Sequence, residues 1–176
     1  MNYIILDLEA TCWENNRSLQ NEIIEIGAVK VNANGEVISE FCEFIKPKLN
    51  PELSDFCKKL TTIKQEQVDN ADEFPEVIKR FQEWIGDDYY LCSWGFYDKK
   101  QFKQDCQFHS LDISWLRKHI SVKHQHGKFN SEGKPLGIGQ ALKLEGLELD
   151  GTHHRGIDDA KNIAKIFIKY INCWEF

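Results

Sequence analysis

The chain has 176 residues, 41% of them hydrophobic and 28% charged. That is enough for one domain over residues 1–176 and too apolar for a disordered chain. A net charge of −6 argues against a passive, non-specific nucleic-acid binder, but suits an enzyme that holds cations beside a polyanion. No apolar run nears the ~20 residues that span a bilayer. The opening MNYIILDLEA has no basic region and carries two carboxylates in its apolar stretch, so the reading is a cytoplasmic protein without a membrane segment.

Taken in chain order, Ile4–Leu8 reads as a central strand interrupted by Asp7. Glu22–Val31 and Val37–Ile45 read as two more strands, joined by Asn34-Gly35, a strong hairpin signal. Pro51–Leu60 and Thr61–Val68 read as short helices, with Thr61 or Thr62 as the cap of the second. Phe74, Val77, Ile78, Phe81, Trp84 and Ile85 mark one face of an amphipathic helix. Tyr89–Trp94 is the fourth strand, 97–108 a helix, and Leu111–Leu116 the expected fifth strand. Residues 117–134 read as irregular, Leu136–Leu144 as a short helix, and Asp158–Cys173 as the last helix. A hairpin group followed by alternating helices and strands predicts a three-layer α/β domain with a mixed sheet. The six cysteines form no CxxC pair and sit mostly in apolar stretches, which predicts reduced thiols. His124 and His126 lack the further ligands that a structural zinc site needs.

Two carboxylates, Asp7 and Glu9, stand inside the first strand. Residues two apart on a strand share a face, and two like charges there are costly unless cations neutralise them. Hard oxygen ligands at this spacing suit Mg²⁺ or Mn²⁺. Asp98 follows the fourth strand and also reads as a helix N-cap. In H-H-R-G-I-D-D-A, His154 and Asp159 are five apart, and Asp158 reads as a charge that complements the helix dipole. Gly137-Ile-Gly139 lacks the third glycine of a dinucleotide loop.

Asp-x-Glu on the first strand, an Asp after the fourth and His-x4-Asp at the last helix together resemble the DEDDh pattern of 3′-to-5′ exonucleases. The stretches D-L-E-A-T-C, N-E-I-I-E-I-G-A-V, L-S-D-F-C and H-x-G-I-D-D-A-K-N-I-A are similar to the ERI-like branch, whose members trim RNA. The likeness covers nearly the whole chain. Two departures are Leu60-Thr61-Thr62-Ile63 in place of L-T-G-I, and Tyr97 where Trp is frequent.

The resemblance implies a ribonuclease H-like fold with a five-stranded mixed sheet. It implies two Mg²⁺ or Mn²⁺ ions on Asp7, Glu9, Asp98 and Asp159, with His154 as general base. The expected partner is the 3′ end of single-stranded or overhanging RNA, cut to 5′-mononucleotides. DNA hydrolysis on the same fold, and an idle RNA- or partner-binding domain, are the alternatives. Trp13 follows the first motif and is placed to stack on a terminal base. The resemblance adds Phe56, and with it Ala10, Thr11 and Leu60, as substrate contacts. Residues 115–137 carry Arg117, Lys118, Lys123, Lys128 and Lys134 against Glu132. With His119, His124 and His126 they form a candidate phosphate track.

Overall fold

The computed structural model describes residues 1–16 and 18–176. Five strands form one mixed sheet in the order β3-β2-β1-β4-β5. These are β1 (Asn2–Ala10), β2 (Ile23–Asn32), β3 (Val37–Phe44), β4 (Tyr89–Ser93) and β5 (His119–Ser121). The β1–β2 and β2–β3 pairs are antiparallel, whereas β1–β4 and β4–β5 are parallel. The predicted hairpin is present: Gly35 takes φ 82°, and the Asn32 side chain accepts from the backbone N–H groups of Asn34 and Glu36.

Strand periodicity sorts β1 into two faces. Ile4, Leu6 and Leu8 enter a core shared with α3 (Phe74–Ile85) and α4 (Tyr97–Phe108). Ile5 packs on the other side against Ala160, Ile163, Ala164 and Phe167 of α7 (Gly156–Lys169). The result is the expected three layers. Asp7 and Glu9 continue the face of Ile5, so they emerge on the α7 side. Their strand partners there are Gly27 and Glu25.

Gly27 explains how α7 reaches the sheet. A Cβ on it would lie 2.0 Å from Gly156 C and from Ile157 N, so only glycine allows the first turn of α7 to rest on β2. That contact sets the start of α7 beside Asp7.

Several elements differ from the sequence expectation. Leu111–Leu116 is not a strand. The Ser114 hydroxyl donates to the Asp112 carboxylate and the Trp115 indole to the Asp112 carbonyl. These local bonds favour a turn, and Ser114–Leu116 is a 3₁₀ helix. The fifth strand is instead the short His119–Ser121, inside the stretch expected to be irregular. That stretch also holds α5 (Val122–Phe129), capped by the Ser121 hydroxyl. The second short helix, α2 (Gln65–Asp69), is capped at Lys64, whose N–H donates to the Gln67 side chain. Thr61 instead belongs to α1 (Asp55–Thr61), and Thr62 ends that helix in the left-handed region at φ 61°. The last helix starts at Gly156 and ends at Lys169, with α6 (Ile138–Glu145) against it. All six cysteines are free; Cys57, Cys92 and Cys106 are buried, while Cys42 and Cys173 are exposed. No helix among the described residues is long and apolar enough to cross a membrane.

Candidate active site

At the end of β1, a cleft of about 310 Å³ is lined by Asp7, Glu9, Trp94, Tyr97, Asp98, His153, His154 and Asp159, with Leu8, Ile138 and Ile163. All five residues of the sequence pattern therefore meet in one place, from three separate stretches of the chain. A larger hollow of about 620 Å³ lies near the start of β4, lined by Trp115, Leu111 and α3 side chains. It holds none of these carboxylates, so chemistry rather than size selects the site.

Each element delivers its side chain for a local reason. Strand β1 carries Asp7 and Glu9 on one face. The turn after β4 starts α4 at Phe96, which places Asp98 in the first turn rather than at the cap. Asp98 Oδ1 accepts from the Leu8 N–H at 3.2 Å, tying α4 to β1. Asp159 is fixed by its own loop: one oxygen accepts from the His154 N–H at 2.9 Å, and the other lies 2.9 Å from His153 Nδ1. Asp158 accepts from the Thr152 N–H at 2.9 Å, so it closes the histidine loop onto the helix as well as facing the dipole.

The carboxylates are held in conflict. Burial holds the Asp7 carboxyl well above the usual carboxylate range, with Asp98, Glu9 and Asp159 adding repulsion. Burial, then Glu25, raises Glu9 to about 8. Burial raises Asp98 to about 6, against hydrogen bonds that include the one from Leu8. Buried like charges of this kind ionise together only beside cations. Oxygen atoms of Asp7, Glu9 and Asp159 all lie within 4.8 Å of one another, a hard donor set that fits a Mg²⁺-type ion. His153, His154 and Asp159 form the other such group among the described residues; His124 and His126 belong to neither. His126 Nε2 lies 2.8 Å from Glu145, and His124 Nδ1 lies 2.7 Å from the Ser121 hydroxyl.

His154 takes a left-handed backbone, φ 65°. Its ring stacks on His153 at 4.0 Å and makes no hydrogen bond among the described residues. Burial and the neighbouring His153 lower its pKa, against the pull of Asp159.

None of the expected substrate contacts lines this cleft. Phe56 and Leu60, each about one-third exposed (37% and 36%), line a hollow of about 490 Å³ with Glu14, Asp55 and Lys59. Trp13 is half-buried, next in sequence to Glu14. Ala10 ends β1 buried. Thr11 is also buried, and its hydroxyl accepts from the Glu22 N–H at 2.9 Å.

Two functional positions escaped sequence reading. Glu25 is fully buried opposite Glu9, and its carboxylate is bound by the Arg155 guanidinium at 3.2 Å and by the Gly156 N–H at 3.1 Å. This pair clamps β2 to the start of α7. The available signal was the same as for Asp7, an acid inside an apolar strand.

The family model described as Exonuclease (RNase_T) matches residues 4–167. The chain belongs to this exonuclease family. It is 36% identical to rat 3′-5′ exoribonuclease 1 over 95% of this chain and 52% of that protein. It is 31% identical to the probable 3′-5′ exonuclease KapD of Bacillus subtilis, over 93% of this chain and 82% of that one. The chain thus spans about half the length of the rat relative. Among solved structures, the nuclease domain of 3′hExo, a DEDDh family member bound to rAMP, superposes with a TM-score of 0.87. Identity there is 34%, covering 98% of this chain and 93% of that one. A 3′-exonuclease solved for its recognition of the histone mRNA stem-loop gives a TM-score of 0.90 at 32% identity, covering 98% and 64%. The DEDDh membership, the ERI-like branch and the ribonuclease H-like fold are therefore those expected from sequence.

Proposed function

We propose that this chain, as one domain over residues 1–176, is a metal-dependent 3′-to-5′ exonuclease that hydrolyses single-stranded or overhanging RNA to 5′-mononucleotides. The observation that carries this reading is the group of Asp7, Glu9 and Asp159 oxygens within 4.8 Å, in a cleft that also holds Asp98 and His154. Asp7, Glu9 and Asp159 would hold one divalent cation, and Asp7 with Asp98 a second. Two Mg²⁺ or Mn²⁺ ions, when bound, neutralise the carboxylates, acidify a water and offset charge on the leaving oxygen. His154 takes the proton of the attacking water. Its free ring and lowered pKa keep it neutral near pH 7, as a base requires. His153 is committed to Asp159 and serves to hold that ligand. Phe56, Leu60 and Trp13 receive the terminal nucleotide, with Ala10 and Thr11 shaping the backbone beneath it. RNA is favoured over DNA by the names of the relatives.

The test is end-labelled RNA and DNA of one sequence, incubated with Mg²⁺, Mn²⁺ or chelator and resolved by size. Stepwise shortening of RNA from its 3′ end is expected, lost in chelator and lost in Asp7→Asn. Full activity in chelator, or cutting of circular RNA, would overturn the reading.

A further inference from the structure

Single exposed apolar side chains are ordinary on a protein surface. Phe96 differs in its company. It is 48% exposed at the start of α4, two residues before Asp98. Its ring stacks on the exposed His124 ring at 4.9 Å with an interplanar angle of 29°, and leans on His119 at 6.0 Å. The Ser121 hydroxyl, 2.7 Å from His124 Nδ1, steadies that ring. The neighbouring Tyr97 is exposed too, but it lines the carboxylate cleft and its hydroxyl donates to Gln101.

The stretch of sequence that carries this stack has the reverse of the whole chain's charge. Residues 89–131 carry seven Lys and Arg against three acids, of which Asp98 and Asp105 are buried. Lys99, Lys100, Lys103, Arg117, Lys118 and Lys123 form no ion pair among the described residues. Of these, Lys99 and Lys100 follow Phe96 in the first turns of α4 and Lys123 adjoins His124, whereas Lys118 lies over the Tyr90 ring. Unpaired cations flanking a stacked aromatic pair are the composition of a single-strand nucleic-acid surface.

The sheet order sets the direction. Helix α1, with Phe56 and Leu60, lies on the β2–β3 side of β1: its Cys57 packs with Ile24 of β2 and Phe44 of β3. Phe96 lies on the β4–β5 side. The carboxylates stand between. A strand drawn from the Phe56 hollow across the carboxylates points on toward β4 and β5.

We propose that the Phe96–His124 stack is a second base-binding site, which takes the base of a nucleotide upstream of the scissile bond while the unpaired cations meet the phosphates. This rests on the exonuclease reading and adds a substrate register to it. The test is kcat/KM on a short single-stranded RNA in which each upstream base in turn is replaced by an abasic residue. Wild-type protein should lose roughly tenfold at one upstream position, equivalent to ~1.4 kcal/mol of stacking. Phe96→Ala should lower activity on the intact strand by a similar factor and erase the penalty at that position. Phe96→Tyr, still able to stack, should keep it, and so should Phe108→Ala, which removes an exposed ring from the far end of α4. Cutting of all abasic strands equally by wild-type protein overturns the platform alone. A Phe96→Ala loss as large on the p-nitrophenyl ester of a 5′-mononucleotide, which has no upstream base, as on the strand also overturns it, since it marks damage to the cleft. If wild-type protein cuts none of these RNAs, the exonuclease reading fails and the platform falls with it.

Discussion

At the scale of single residues, two adjacent histidines compete for one role, and geometry separates them. His153 Nδ1 is occupied by Asp159, whereas the His154 ring is free. His154→Ala should therefore cut kcat by ~10²–10⁴ with little change in Mn²⁺ affinity by calorimetry. His153→Ala should weaken Mn²⁺ binding more than it slows saturated turnover. The opposite pattern would exchange the two assignments. A second residue-scale prediction concerns Thr62, exposed at φ 61° where the ERI-like pattern has glycine. A side chain in that region costs roughly 1–2 kcal/mol. Thr62→Gly should then raise Tm by several degrees, with each kcal/mol worth ~2–4 °C at this chain length. A lowered Tm in thermal melts would refute the strain. The convergence of the carboxylates was legible in sequence because a carboxylate in an apolar strand is costly and therefore conspicuous. His154's advantage over His153 rested on spacing alone until the ring contacts were known.

At the scale of elements, the Glu25–Arg155 pair decides whether α7 docks correctly. Glu25 is completely buried, and removing one partner of a buried pair typically costs ~3–5 kcal/mol, because a charge is left alone. Arg155→Met should approach that loss in denaturant unfolding and weaken Mn²⁺ binding through a displaced Asp159. Adding Glu25→Gln to Arg155→Met should return part of the stability. Strictly additive losses would mean that the two residues do not act together. Long elements such as α3 were legible because five of the six apolar positions read from sequence are buried. The fifth strand was not, because Leu111–Leu116 alternates like a strand while Asp112 and Ser114 bind locally and turn it. The true strand, His-Ile-Ser, has only three rungs against β4 and too little length to show a period.

At the scale of the whole molecule, stability and metal are coupled through pH. Glu9 and Asp98 have folded pKa values of about 8 and about 6, and Asp7 is also raised. Unfolded values are near 4. Groups raised in the folded state favour folding below the unfolded value, and that contribution is lost as pH rises through the folded value. Glu145 has the opposite sign. Its hydrogen bonds to Lys169, His126 and Tyr170 outweigh burial and hold it at about 2, so its contribution is lost as pH falls from ~4 toward 2. Metal-free protein should thus be most stable in mild acid, and its Tm should decline between pH ~5 and 8. Excess Mn²⁺ should flatten that decline, since a ligand of the folded state stabilises it by mass action. A Tm in chelator that holds level across this range would show that the carboxylates do not strain the free protein.

The clamp between Glu25 and the start of α7 joins residues 130 apart in sequence, and the metal-binding set itself runs from Asp7 to Asp159. During synthesis the first acids leave the ribosome with most of the chain still unmade. Until Gly156 has settled on Gly27, Asp7 and Glu9 lack Asp159, the third member of their oxygen group. Completion of that oxygen group therefore waits for α7. On the proposed reading, a nascent copy made beside its own messenger RNA lacks, before α7 is in place, the complete centre that would act on it. One glycine contact late in the sequence thus sets when the carboxylate group can assemble.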